Sequence, residues 1–223
     1  MHFAVIVFPG SNCDHDAYHV FSNILKVPVN FVWHRETDLT KYDAIIIPGG
    51  FSYGDHLRTG AIARFSPVMD SVIKDAKAGK PVLGICNGFQ ILIESGLLSG
   101  SLIVNKDVRF LSQDVILEVA SVNSIFTKYF RVGHRLKMPI AHKQGNFIVD
   151  DNTLKILEGE DRIAFRYSDG KKGNPNGSIN RIAGILNEKR NVLGMMPHPE
   201  RAVESILGSE DGIGVFKSMI GMH

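Results

Sequence analysis

Short apolar runs that alternate with helical patterns constrain the fold of this chain most. Residues 3–8 read FAVIVF, Val29–Trp33 reads VNFVW, Ala44–Ile47 reads AIII and Val82–Ile85 reads VLGI. Each is too short for a helix, and continuous runs of this kind read as strands buried on both faces. A helical pattern fills residues 14–25, with Ala17, Val20, Phe21 and Leu25 on one stripe. A second helix opens at Ser66-Pro67, with Ser as N-cap and Pro at the first helical position, and closes at Gly79. A third covers residues 87–95 and stops at Gly96. Strands alternating with helices imply parallel βαβ units, whose working residues stand beyond the carboxyl ends of the strands.

From about residue 107 the pattern changes. Residues 115–119 (VILEV), 136–141, Ile163–Tyr167 and Ile182–Leu186 are strand-like with few helices between them. They read as antiparallel strands added to the same sheet. Residues 192–196 form a last strand and 212–219 a closing helix. The segment DGKKGNPNGS (169–178) is a turn-rich loop and a candidate docking surface. No repeat, low-complexity tract or linker divides the chain, so residues 1–223 read as a single domain. The expected fold class is α/β: an open, mostly parallel, flavodoxin-like sheet flanked by helices, with antiparallel strands in the C-terminal half.

Composition removes several function classes. Net charge is +2 and no Lys/Arg run exceeds two residues, so the clustered basic footprint of a nucleic-acid binder is missing. No apolar stretch reaches the roughly 18–20 residues of a membrane span, and the N-terminus lacks the basic start of a signal peptide. Two distant cysteines make no disulfide framework. The cytoplasm is the expected compartment.

Cys86 lies in Leu83-Gly84-Ile85-Cys86-Asn87-Gly88, between a buried strand and a helix. A nucleophile there is held on a tight turn at the sheet's carboxyl edge, and the positive end of a helix favours a thiolate. The two glycines are expected to let the backbone turn and a substrate approach. The bland alternative is a buried structural cysteine. In Met196-Pro197-His198-Pro199-Glu200, the prolines bias the chain toward extended geometry. Residues i and i+2 then share a face, which sets His198 beside Glu200 as base and orienter. Pro48-Gly49-Gly50 follows a buried strand and can expose amides to a developing oxyanion. Cys13, at another strand-to-helix junction, is a rival thiol for which a structural or substrate-loop role is expected. His198-x-Glu200 also resembles part of a zinc-deaminase motif, but the P-C-x-x-C partner is missing and no metal is expected.

Together LGICNGFQIL, PGGFSYGD and MPHPER resemble the class I (triad) glutamine amidotransferases. FPGSNCD, GGFSYGDHLRTGAIA and NPNGS are similar to the small bacterial glutaminase subunits of phosphoribosylformylglycinamidine synthase. The resemblance implies Cys86 as nucleophile, His198 as base and Glu200 as third member. It implies Gly50 and Asn87 as oxyanion amides, with Gln90 and Gly49 holding the glutamine. It further implies hydrolysis of L-glutamine to glutamate and ammonia without a cofactor on this chain. ATP and magnesium would be used by a large synthetase subunit that converts formylglycinamide ribonucleotide to the amidine in purine biosynthesis, with a small bridging subunit between the two. One departure stands out: Lys143-Gln144-Gly145 occupies the place where the family usually carries Gly-Glu-Gly.

Overall fold

The computed structural model describes residues 1–169 and 173–222. Its centre is a nine-stranded sheet in the order β2-β1-β3-β4-β11-β10-β9-β6-β7. The first five in that order are β2 (Val29–Trp33), β1 (Phe3–Val7), β3 (Ala44–Ile47), β4 (Val82–Ile85) and β11 (Val192–Met195), and all run parallel. The remaining four, β10 (Ile182–Leu186), β9 (Ile163–Tyr167), β6 (Leu111–Val119) and β7 (Arg135–His142), are antiparallel additions. The chain thus has the mixed α/β sheet expected, with every residue of β3, β4, β10 and β11 buried.

The helices are α1 (Asp14–His19), α2 (Pro67–Lys77), α3 (Asn87–Glu94), α4 (Asp151–Gly159) and α5 (Ile213–Ile220). The predicted first helix is shorter than its pattern: after His19 the chain widens into a π-type turn over Val20–Ile24. Helix α4 was not expected, and neither was the separate two-stranded antiparallel ribbon of β5 (Ser101–Ile103) with β8 (Asn146–Ile148). Asp150 starts α4 by accepting hydrogen bonds from the amides of Asn152 and Thr153, both at 3.0 Å. The loop predicted at 169–178 lies partly outside the described residues. Its NPNGS end is no solvated surface: Asn176 and Ser178 are buried, and both donate to the Gly145 carbonyl.

The glycines around Cys86 act differently from the expectation. Neither Gly84 nor Gly88 has positive φ. Their missing side chains instead let α3 lie on the sheet. A Cβ on Gly84 would stand 2.4 Å from Leu92 Cδ1, and one on Gly88 would stand 2.0 Å from the Ile47 carbonyl oxygen. Gly194 on β11 is similar, with Phe89 Cδ2 2.1 Å from a hypothetical Cβ. The clash at Gly88 is with backbone, which no rotamer relieves. Gly88→Ala should therefore cost about 2–3 kcal/mol, at the upper end of overpacking changes, and lower the thermal midpoint by roughly 4–10 °C for a domain of this size. An unchanged midpoint by calorimetry would show that α3 is free to lift.

Candidate active site

Four adjacent parallel strands deliver the chemical groups to one rim. The chain leaves β1 toward Cys13, β3 toward Gly49 and Gly50, β4 toward Cys86 and β11 toward His198. Registers of Ile47 with Gly84 and of Ile85 with Met195 keep these exits level. The site lies beside the point where the strand order reverses around β1, the usual crevice of an open α/β sheet.

Cys86 itself carries the tight turn, with φ 50° and ψ −103°. A side-chain-bearing residue there is strained by about 1–3 kcal/mol. Its amide donates to the Met195 carbonyl (2.8 Å) and its carbonyl accepts from the Gln90 amide (3.2 Å), which locks the turn between β11 and α3. The thiol is 5% exposed and lies 3.7 Å from the Ala141 carbonyl.

His198 is tied to β7 through its amide and the Pro139 carbonyl (2.9 Å). Its Nδ1 meets Glu200 Oε1 at 2.6 Å, and both side chains are buried. An ionised carboxylate only accepts, so Nδ1 carries the proton and Nε2 is the catalytic face. The expected extended segment is not what brings them together. Pro199–Arg201 forms a 3-10 turn, begun by the fixed φ of Pro199 at its first position, and Glu200 folds back under the ring. Burial disfavours the charged imidazole, but Glu200 and the thiols of Cys86 and Cys13 outweigh it and raise the His198 pKa well above the ordinary value. Nε2 is buried with no hydrogen-bond partner at good geometry among the described residues.

Gly49 lies against this cluster. A Cβ there would be 2.7 Å from His198 Cε1, 3.2 Å from Cys13 Sγ and 3.4 Å from Cys86 Cβ. Gly49 thus makes room for the ring and stands outside the lining of the adjoining cavity, where the resemblance had it touch substrate. Gly50 (φ 132°) does line the cavity, and the Asn87 amide, first in α3, has no intrahelical partner. These are the two amides expected for an oxyanion. Gln90 also lines the cavity, but its amide is already engaged. Its Nε2 donates to the Gln144 carbonyl (2.7 Å) and its Oε1 accepts from Asn87 Nδ2 (2.9 Å). Gln90 is a brace of the cavity wall.

The cavity has a volume of about 230 Å³, below the range of drug-sized pockets. Cys86 opens into it; Cys13 does not. Its wall also holds Asp55 and His142, to which the sequence reading gave no role, and Lys143 of the departure noted above. Asp55 reaches it through successive left-handed residues, Tyr53, Gly54 and Asp55 (φ 55°, 67° and 54°), a path no periodicity announces. Burial pushes the Asp55 carboxyl up to about 6. His142 is held neutral by burial and by His198, its pKa lowered to about 4. Its Nδ1 donates to Asn105 Oδ1 (3.1 Å), which leaves Nε2 a bare acceptor. Gln144, in place of the usual acid, accepts from Thr59 Oγ1 at 2.9 Å. A carboxylate would accept the same bond, so the change removes charge and keeps the tie.

Residues 1–211 match the model of the CobB/CobQ-like glutamine amidotransferase domain. The chain belongs to that family. It is 55% identical to phosphoribosylformylglycinamidine synthase subunit PurQ of Koribacter versatilis (strain Ellin345), over 99% of this chain and 98% of that protein. Among solved structures it is similar to a chain of PurLQS from Thermotoga maritima, with TM-score 0.90 and 44% identity over 99% of this chain and 97% of that one. The glutaminase domain of Trypanosoma brucei CTPS shares the fold at TM-score 0.62 and 13% identity, over 100% of this chain and 95% of that one.

In this amidotransferase the Glu200 carboxylate both orients the imidazole and keeps it basic. Glu200→Gln preserves the shape and removes the charge. The kcat for glutamine hydrolysis should fall by roughly 10²–10⁴-fold, the range for a general base, with little change in thermal midpoint. A kcat within threefold of the parent would show that Glu200 is only structural.

Proposed function

We propose that this chain is the glutaminase subunit of a phosphoribosylformylglycinamidine synthase. It hydrolyses L-glutamine and passes the ammonia to a synthetase subunit that converts formylglycinamide ribonucleotide and ATP to formylglycinamidine ribonucleotide. One observation carries the chemistry: the thiol that opens into a cavity sized for a small molecule also abuts a buried imidazole–carboxylate pair. The pathway rests on full-length similarity to a PurQ subunit and to a chain of a PurLQS structure.

The sulfur of Cys86 attacks the carboxamide carbon, and the C=O electron pair moves onto oxygen. The amides of Gly50 and Asn87 hold that oxyanion. His198 delivers its Nε2 proton to the nitrogen, the C–N bond breaks and ammonia departs. A γ-glutamyl thioester remains on Cys86. Water then gives its proton to His198 Nε2 and adds to the thioester carbon. The C–S bond breaks and glutamate leaves. ATP and magnesium belong to the synthetase partner, and a small bridging subunit joins the two. The whole chain acts as one amidotransferase domain, and the cytoplasm is the compartment this role calls for. Among the described residues no helix is long and apolar enough to cross a membrane.

The cavity wall fits a zwitterionic amino acid. Asp55 has no cationic partner among the described ion pairs, and its nearest polar contact is Asn87 Nδ2 at 3.5 Å. It takes the α-ammonium group. Lys143 faces the α-carboxylate. Below about pH 6 Asp55 is protonated and loses its charge, so the KM for glutamine should rise as pH falls through that value. In Asp55→Asn the KM should be roughly ten- to a hundredfold higher, the loss of about 1.5–3 kcal/mol for a hydrogen bond to a charge, and flat over the same pH range. Equal pH profiles for the two proteins would remove Asp55 from substrate binding. Cys86→Ala should abolish amidine synthesis from glutamine in the assembled complex yet spare synthesis from added ammonium. Loss of both would refute the division of labour.

A further inference from the structure

The triad reaction leaves one buried thiol without a task. Cys13 is 3% exposed and does not reach the cavity. Its sulfur, a ring nitrogen of His198 and a carboxylate oxygen of Glu200 all lie within 4.8 Å of one another. Cys13 Sγ accepts from Arg201 Nη2 at 3.1 Å, and Arg201 is anchored through Nε to Asp16 Oδ2 at 3.0 Å. A Cβ on Gly49 would stand 3.2 Å from Cys13 Sγ, 3.4 Å from Cys86 Cβ and 2.7 Å from His198 Cε1, so both cysteines border the ring. The buried Nε2 of His198 has no hydrogen-bond partner at good geometry among the described residues.

We propose that Cys13, Cys86 and His198 Nε2 form a site for a thiophilic divalent cation, zinc foremost, which reversibly silences the enzyme by occupying the nucleophile and the base together.

The donor set suits that cation and few others. Two sulfurs and an imidazole are soft ligands, whereas magnesium and calcium require oxygen. Glu200, bound to Nδ1, is the carboxylate partner that metal-ligating histidines usually have on their other nitrogen. Zinc–ligand bonds are about 2.0–2.3 Å long, so neighbouring donors in such a site stand about 3.5 Å apart. Cys86 stands outside the trio of Cys13, His198 and Glu200, and its side chain rotates to join the donors. Two thiolates and the Glu200 carboxylate face a divalent cation and the Arg201 guanidinium, which also pairs with Asp16. Binding releases the thiol and imidazolium protons to solvent. Water from the cavity fills the fourth position through the opening beside Cys86. The cation is an inhibitor and takes no step in glutamine hydrolysis.

The site goes beyond the amidotransferase assignment, and it can be read without turnover. Cobalt(II) titrated anaerobically into the full chain should produce a thiolate-to-cobalt charge-transfer band that saturates at one equivalent and is displaced by zinc. Cys13→Ser should weaken cobalt affinity by at least about tenfold, as expected for a lost ligand given that even outer-shell changes cost 10–100-fold. It should also raise the zinc concentration that halves glutaminase activity by a similar factor, each protein compared with its own uninhibited rate. Cys86→Ser should keep a weaker band, contributed by Cys13. The absence of a band in the parent, an unchanged affinity in Cys13→Ser, or no band at all in Cys86→Ser would each overturn the proposal.

Discussion

The close approach of α3 to the middle of the sheet sets where the nucleophile stands. Gly84, Gly88 and Gly194 leave no room for a Cβ, and the helix rests almost directly on β3, β4 and β11. With the helix that near, the connection from β4 has a single residue in which to turn, and that residue is Cys86. The strain of its left-handed backbone, about 1–3 kcal/mol, is set against full burial of Phe89, Ile91 and Leu92 on α3. Each of those contributes about 1.5–3 kcal/mol. Packing wins, and the thiol is held at the rim by a force that has nothing to do with catalysis.

The imidazole–carboxylate pair is a different case. Burying two charges costs more in desolvation than their attraction ordinarily returns, so the pair is poor evidence of stability. Glu200 keeps one oxygen unpaired in the interior. The gain is chemical: a ring fixed in one tautomer, raised in basicity and aimed at sulfur. The backbone bond from His198 to Pro139 makes the antiparallel half of the sheet part of this arrangement, because β7 also carries Ala141 and His142 to the other side of the thiol.

The parallel half was legible because its strands are buried on both faces and each announces itself as an apolar run. Helix α4 was not: its first turn, DDNTLK, is polar, and the signal was the lone cap Asp150 rather than a stripe. The glycines of the nucleophile turn were found but misassigned, since a sequence shows that a side chain is missing and not which neighbour requires it. Proximity of His198 and Glu200 was expected for a reason that does not hold, as the proline that bars an α-helix also starts a 3-10 turn. Asp55 and His142 remained hidden for another reason. One reaches the cavity through a run of left-handed turns and the other at the end of an added antiparallel strand, on opposite sides of Cys86 in the chain, and no local pattern encodes that meeting.

Two of the motifs that carry the resemblance, FPGSNCD and NPNGS, brace the site rather than perform the chemistry. Gly10 of FPGSN accepts from the Phe51 amide, and Pro9 from the Tyr53 amide, which fixes the loop that presents Gly50 and Asp55. Asn176 and Ser178 of NPNGS hold Gly145, and Gly145 lies against the His142 ring, where a Cβ would stand 2.2–2.6 Å from three of its atoms. Tyr53 reaches across to His34 and Ser66 at 2.9 and 2.8 Å. Each motif therefore braces one wall of the cavity, while the triad hangs from the sheet. A sheet of this kind tolerates wide divergence, as the 13%-identical fold neighbour shows. The walls have their own requirement, because the half-buried Asp55 carboxylate and the buried His142 ring have to be positioned by parts of the chain far apart in sequence.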